Sequence, residues 1–159
     1  NITVTHDYKS LFFMDVAYRV PDNETESETP QNKFKKTKPI TNMNVKSIIG
    51  YPETGMKVYH NSHVVVRGVA FDDGHGIQDV LISTDEGKTW EKSLLAQEGG
   101  RYAYTQFRFT YKPTKYGKVN IMAKAVNRLG DEQPLAADVL WNHGGYKFNG
   151  IDIVTVEVV

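Results

Sequence analysis

No cysteine occurs in this 159-residue chain. Disulfides, thiolate metal sites and thiol catalysis are therefore excluded within it, whichever redox compartment it occupies. Charge of one sign is also lacking: Lys plus Arg and Asp plus Glu each number 19, so no net field draws the chain to nucleic acid or to an anionic membrane. No apolar run approaches the roughly 18–20 residues of a membrane span. No charged-then-apolar leader opens the chain. It begins instead with NITVTHDY, which reads as strand and has no initiating Met. We expect residue 1 to be a processing or truncation boundary, with sequence missing upstream. A clean helical stripe is absent from every window of roughly 11 residues or more.

What is present is β rhythm. In LFFMDVAYRV (11–20), Phe12, Met14, Val16, Tyr18 and Val20 alternate with Phe13, Asp15, Ala17 and Arg19, a strand pattern that Pro21 stops. From residue 42 onward the candidate strands are 43–49, 62–71, 77–84, 89–95, 102–112, 117–126, 136–141 and 151–158. Turn chemistry separates them: YPETG, DDGHG, DEGK, EGG and RLGD. Phe107, Phe109 and Tyr111 share one face of their strand. Val119, Ile121, Ala123 and Ala125 share one face of theirs, against Asn120, Met122 and Lys124 on a wet face. The parity shift between Ile151/Ile153 and Val154/Val156/Val158 predicts a bulge or burial on both faces. With 40% hydrophobic residues, a core of ordinary size is available. The economical fold is all-β, two antiparallel sheets packed face to face.

Residues 22–41 differ. Asp22, Glu24, Glu26 and Glu28 precede Lys33, Lys35, Lys36 and Lys38, with Phe34 and Ile40 as the large apolar residues. Such a composition buries little and predicts a linker or a solvated surface connection. Mixed with four acids, the lysines favour a solvated face over a nucleic-acid site.

LISTDEGKTWEKS (81–93) contains Ser-x-Asp-x-Gly-x-Thr-Trp, the Asp-box of sialidase-type propellers. A propeller needs several copies at a fixed repeat, and one copy occurs here. A glycosidase reading also needs a carboxylate pair or a Tyr nucleophile among arginines, and nothing assembles one. Each residue has a structural task instead. Gly87 takes the positive φ of a tight turn, Asp85 accepts backbone amides across it, and Trp90 offers a large face to bury. The spacing of His60 and His63 in HNSH is a weak metal signal beside an ordinary turn reading. FDDGHG (71–76) lacks the register of a calcium loop. NIT (1–3) and NET (23–25) are sequons, relevant where a host glycosylates exported proteins.

Four blocks in order resemble the C-terminal dimerisation domain of the sulfite oxidase family of molybdenum enzymes. They are VVVRGVAFDDGHGIQDVLISTDEGKTWEKSLL (64–95), IMAKAVNRLGDEQP (121–134), VLWNHGGYKFN (139–149) and IDIVTVEV (151–158). A fifth, FFMDVAYRVPDN (12–23), is similar to the exit of the molybdenum domain in bacterial sulfite dehydrogenases. The resemblance implies an immunoglobulin-like (E-set type) antiparallel sandwich at 42–159. It also implies a linker at 22–41 and, at 1–21, the end of the adjoining catalytic domain with an N-terminal strand segment. It implies a parent enzyme that oxidises sulfite or a related sulfur compound at a molybdopterin-bound molybdenum held upstream. A haem or cytochrome c would accept the electrons, the parent would be a homodimer, and the bacterial periplasm would be its compartment. This chain would carry no cofactor and no catalytic residue of its own, and its partner would be its own upstream domain.

In animal members of the family, the segment after WN carries an arginine that reaches the substrate pocket. Here WNHGGY puts Gly144 in that place, so no substrate role is carried onto it. His143 and Arg19 are the candidates for the pocket rim, each with a bland reading beside it: a loop histidine, and an arginine bracing a seam. The rival to the whole reading is a secreted immunoglobulin-like adhesion or glycan-binding module. Exposed Tyr102, Tyr104 and Tyr116 on one face would favour it.

Overall fold

The structure is a computed structural model that describes residue 3 and residues 10–159. The expected strand at NITVTHDY and the sequon at 1–3 lie almost wholly outside the described residues. The chain forms two compact units. One comprises Asn1–Met43 with Leu140–Phe148, the other Asn44–Val139 with Asn149–Val159.

In the first unit, the alternating run 11–20 is a shorter strand than its pattern predicts. Phe13–Ala17 form a single π-helical turn, closed by the Tyr18 N–H donating to the Phe13 carbonyl at 2.8 Å. Strand β1 is Arg19–Pro21. It pairs antiparallel with β2, Thr37–Pro39, in the register Arg19↔Pro39, Val20↔Lys38 and Pro21↔Thr37. Alternation alone does not separate an isolated strand from a tight turn, and among the described residues no third strand extends this ladder. The charged stretch 22–41, expected as a linker or a solvated surface connection, is mostly exposed and carries ion pairs. Asp22 pairs with Lys36 at 2.7 Å, and Lys38 pairs with Glu24, so acids and lysines meet across the hairpin that follows β1 and precedes β2.

The second unit holds two sheets. Its strands are β3 Lys46–Tyr51, β4 Lys57–Val58, β5 Val64–Phe71, β6 Ile77–Ser83, β7 Glu91–Lys92, β8 Leu94–Leu95, β9 Thr105–Tyr111, β10 Gly117–Asn127 and β11 Asp152–Val158. One sheet has the order β4-β11-β10-β6-β7 and the other β3-β5-β9-β8. All pairings are antiparallel except the short β4–β11 contact, which is parallel. The inner faces supply one core, with Val66, Ala70, Val80, Ile121, Ala123, Ala125 and Val156 fully buried. Each large aliphatic residue so buried contributes about 1.5–3 kcal/mol.

Three strand expectations are corrected. Residues 136–141 carry a 3-10 turn at Ala136–Asp138 rather than a strand. The run 89–95 is two short strands in different sheets, and the chain crosses between them at Ser93, whose N–H donates to the Val80 carbonyl at 2.9 Å. β11 contains no register shift. Ile151 lies before the strand, bonded through its N–H to Pro134, and Val154, Val156 and Val158 point inward while Ile153 is exposed. The parity shift therefore marks the strand's start.

The Asp-box makes the turn between β6 and β7. Glu86 and Gly87 both have positive φ, 64° and 78°, as a tight hairpin reversal requires. Asp85 accepts from Ser83 Oγ (2.8 Å), the Thr89 N–H (2.9 Å) and Thr89 Oγ1 (2.6 Å). The Trp90 indole N–H donates to the Gly87 carbonyl at 3.0 Å. Trp90 is only half-buried, and its ring lies 5.0 Å from the Lys124 ammonium. Lys124 and Met122 share the outer face of β10, and Met122 is buried there beside Gly87. The face expected to be wet is thus covered by the hairpin.

The Thr89 hydroxyl above all, then the Thr89 amide and the Ser83 hydroxyl, hold the Asp85 carboxyl at about 2, below its ordinary 3.8. Its folded value is depressed. Its contribution is therefore complete above the unfolded value and is lost as pH falls through the folded one. The protection of the Thr89 amide, taken relative to its intrinsic exchange rate, should fall between about pH 4 and pH 2, and Asp85→Asn should remove that change in protection. An unchanged acid limb in Asp85→Asn would contradict the assignment.

A candidate anion-binding cavity

Both candidate rim residues, Arg19 and His143, line one cavity of about 670 Å3 in the first unit. Arg19 projects from β1. Its Nε donates to Thr37 Oγ1 (2.9 Å), Nη2 to the Thr37 carbonyl (2.6 Å) and Nη1 to the Met14 carbonyl of the π-helical turn (2.8 Å). These bonds use three of the guanidinium's five N–H groups. All three acceptors are neutral, so the positive charge is positioned without being cancelled by a carboxylate among the described residues.

His143 comes from the loop 142–146, which Asn142 folds. Asn142 Nδ2 donates to the Tyr146 carbonyl at 2.9 Å and its Oδ1 accepts the Tyr146 N–H at 3.1 Å. The ring Nε2 of His143 lies 2.9 Å from the Thr29 carbonyl. A carbonyl can only accept, so Nε2 carries the proton in this arrangement.

The walls are joined by Glu28, a buried carboxylate whose Oε1 accepts the Phe34 N–H (2.7 Å) and whose Oε2 accepts the His143 N–H (2.8 Å). Burial by itself would raise its pKa. The two amides, with His143 and Lys33 nearby, outweigh that and hold it below the usual carboxylate value. Glu28 is thus an ionised staple with both oxygens engaged, unsuited to donate a proton near neutral pH.

Lys33 and Lys35 are exposed, as a solvated segment predicts, and both also line the cavity with Arg19. The period-2 pattern Lys33-Phe34-Lys35 was the available signal, since it sends both ammonium groups to one side of an extended segment. Gly144 also lines the cavity. A Cβ there would lie 2.5 Å from Cδ2 and 2.6 Å from Cε2 of Tyr146, so any side chain at 144 requires the Tyr146 ring to shift. The positive charge comes from β1 and the 33–35 segment instead. The lining thus brings Arg19, Lys33 and Lys35 together with the ionised Glu28.

The other candidates do not line this cavity. Asp85, Gly87 and Trp90 form the hairpin of the second unit. His60 stacks on Tyr116 with ring centroids 4.4 Å apart. Asp72 accepts the Gly74 and Gly76 amides, and Asp73 meets His75 at 3.1 Å. Tyr102 and Tyr104 are exposed just before β9 and Tyr116 just after it. They stand at opposite ends of a seven-residue strand and make no common platform for a glycan.

Residues 37–158 match the model of the Mo-co oxidoreductase dimerisation domain. The chain belongs to this family. Among its relatives is the mitochondrial sulfite oxidase of Drosophila melanogaster, 29% identical over 166 residues, covering 88% of this chain and 29% of the relative. The mitochondrial sulfite oxidase of Rattus norvegicus is 29% identical over 126 residues, covering 76% of this chain and 23% of the relative. This dimerisation domain therefore spans less than a third of the curated relatives it matches. The sulfane dehydrogenase SoxCD from Paracoccus pantotrophus shares the fold, with a TM-score of 0.68 and 21% identity over 94% of this chain and 39% of that one. The immunoglobulin-like sandwich expected from the sequence agrees with this match and with the two sheets.

The chain has no cysteine to offer a thiolate, and among the described residues no three of His, Cys, Asp and Glu cluster to hold a metal.

Proposed function

We propose that this dimerisation domain is the C-terminal portion of a molybdopterin-dependent oxidoreductase of the sulfite oxidase or sulfite dehydrogenase type. In this reading it joins two copies of the parent and braces each catalytic domain. The observation that carries the reading is the family match, which runs from β2 through both sheets to β11. The parent oxidises sulfite or a related sulfur compound, with the cofactor in its upstream domain and a haem or cytochrome c as electron acceptor. The bacterial periplasm is the proposed compartment. Arg19 and His143 belong to the rim of the substrate pocket, a role supported by their meeting at one cavity with uncancelled positive charge.

Sedimentation of the intact parent at micromolar concentration should give a dimer, as expected of an obligate-type interface. A strictly monomeric parent would overturn the joining role. Sulfite turnover should require the parent, and turnover by the 159-residue chain alone would place catalysis here against this reading.

A further inference from the structure

We propose that the Arg19 cavity takes an organic anion, a tetrahedral oxyanion head carried on an apolar body, in preference to a bare inorganic oxyanion. The inference rests on the reading above that this cavity faces substrate, and it names the class of ligand.

Size is the first argument. A water fills roughly 30 Å3, and a five-heavy-atom oxyanion only a few times that. The cavity measures about 670 Å3, within the range of sites for whole small molecules (about 300–1,000 Å3). The lining is the second. Arg19, Lys33 and Lys35 supply positive charge, while Val16, Phe34 and Tyr146 supply apolar surface to the same space. A bare oxyanion would satisfy the cations and leave that surface wet. An amphipathic anion satisfies both.

Third, three cations, Arg19, Lys33 and Lys35, share the lining with one carboxylate. Glu28 is the carboxylate in the lining, and both of its oxygens are already engaged by the Phe34 and His143 amides. Among the described residues two Arg19 N–H groups make no hydrogen bond and remain for a ligand. The fourth argument is Gly144. The missing side chain, with the Tyr146 ring close over the glycine, keeps a long cation from crossing the cavity and dividing it. Here the volume stays continuous.

Calorimetric titration of the full-length protein with benzenesulfonate and with sulfate tests the proposal. Benzenesulfonate should bind at least about tenfold more tightly, although it carries less charge. Val16 is 65% exposed, so Val16→Ser leaves packing intact. It should weaken benzenesulfonate alone. Arg19→Gln should weaken both ligands by about tenfold or more, as loss of a charge-assisted donor does. Because Arg19 also ties β1 to β2, the exposed pair Lys33→Gln and Lys35→Gln serves as a second charge variant. Equal or tighter binding of sulfate, binding unchanged in the charge variants, or no binding of either ligand would overturn the proposal. Sulfite turnover by the same preparation separates the two readings. Turnover without benzenesulfonate binding sinks the ligand class alone, and loss of both sinks the substrate-pocket reading as well.

Discussion

Gln133→Leu should destabilise the second unit by at least about 4 kcal/mol, read as a lower urea midpoint at unchanged m-value. Gln133 is 1% exposed, and its side chain joins four segments. Oε1 accepts from the Ser47 N–H (2.8 Å), Ser47 Oγ (2.6 Å) and the Ala125 N–H (2.9 Å). Nε2 donates to the carbonyls of Asn149 (3.1 Å) and Gly150 (3.0 Å). Leucine keeps the volume but leaves two amides and two carbonyls without this partner, and a stranded buried group costs about 1–3 kcal/mol. Gln133→Glu provides the contrast. It keeps the acceptor and turns a second acceptor toward two carbonyls, so most of the loss should remain. Because that carboxyl would be easier to protonate in the folded state, the deficit should shrink on acidification. A loss below 1 kcal/mol in Gln133→Leu, within the usual range for surface changes, would show that water or a shifted loop replaces the amide.

Gly68→Ala should cost roughly 3 kcal/mol or more, or prevent folding, because its methyl group has no available space. A Cβ at 68 would lie 2.0 Å from the Ile48 carbonyl oxygen of β3 and 2.6 Å from Cζ of Phe107 on β9. A side chain could rotate away, but the Ile48 contact is backbone. β3 would have to move, at the place where its pairing with β5 already shifts register between Ile49 and Tyr51. Phe107, 2% exposed and directly opposite Gly68, lays its ring over the glycine and fills the gap in the pleat. Phe107→Leu in the same background should recover part of the loss, since it withdraws the ring but not the Ile48 clash. Wild-type stability in Gly68→Ala, measured by urea denaturation, would mean that β3 is free to shift.

The second unit was largely legible in the sequence because its signals are local or periodic. Phe107 alternates with polar Gln106 and Arg108 along a strand paired on both sides, so period 2 reports its burial directly. The Asp85 turn is a contact among residues 83–90, short enough for spacing alone to place each hydrogen bond. Met122 was misread for the opposite reason. Its face of β10 is covered by a hairpin tip 35 residues earlier in the chain, at Gly87, and no strand pattern reports a folded-over neighbour. Gln133 was visible as part of a motif, but its task depends on Ser47 and Gly150, which come near it only through the fold.

In the first unit the balance reverses. Arg19 and His143 were singled out separately, and nothing in their neighbours' identities joins residue 19 to residue 143. Glu28 does so, by accepting amides from segments six and 115 residues away. A buried carboxylate in an acidic run has the composition of a solvated one. Its burial is decided by which amides it meets.

By itself the sequence determined the all-β class, the hairpin chemistry at Asp85 and Gly87, the lack of any thiolate, and the ordered blocks that resemble one family. Each depends on residue identity, periodicity or short spacing, which a linear chain displays directly. The tertiary structure decided which sheet each half of the run 89–95 joins, that the outer face of β10 is covered, and that Gln133 is a four-way tie. It also decided that Arg19, Lys33, Lys35 and His143 share one cavity. These features rest on contacts between distant segments, and such contacts form only once the core and the backbone hydrogen bonds have brought those segments together.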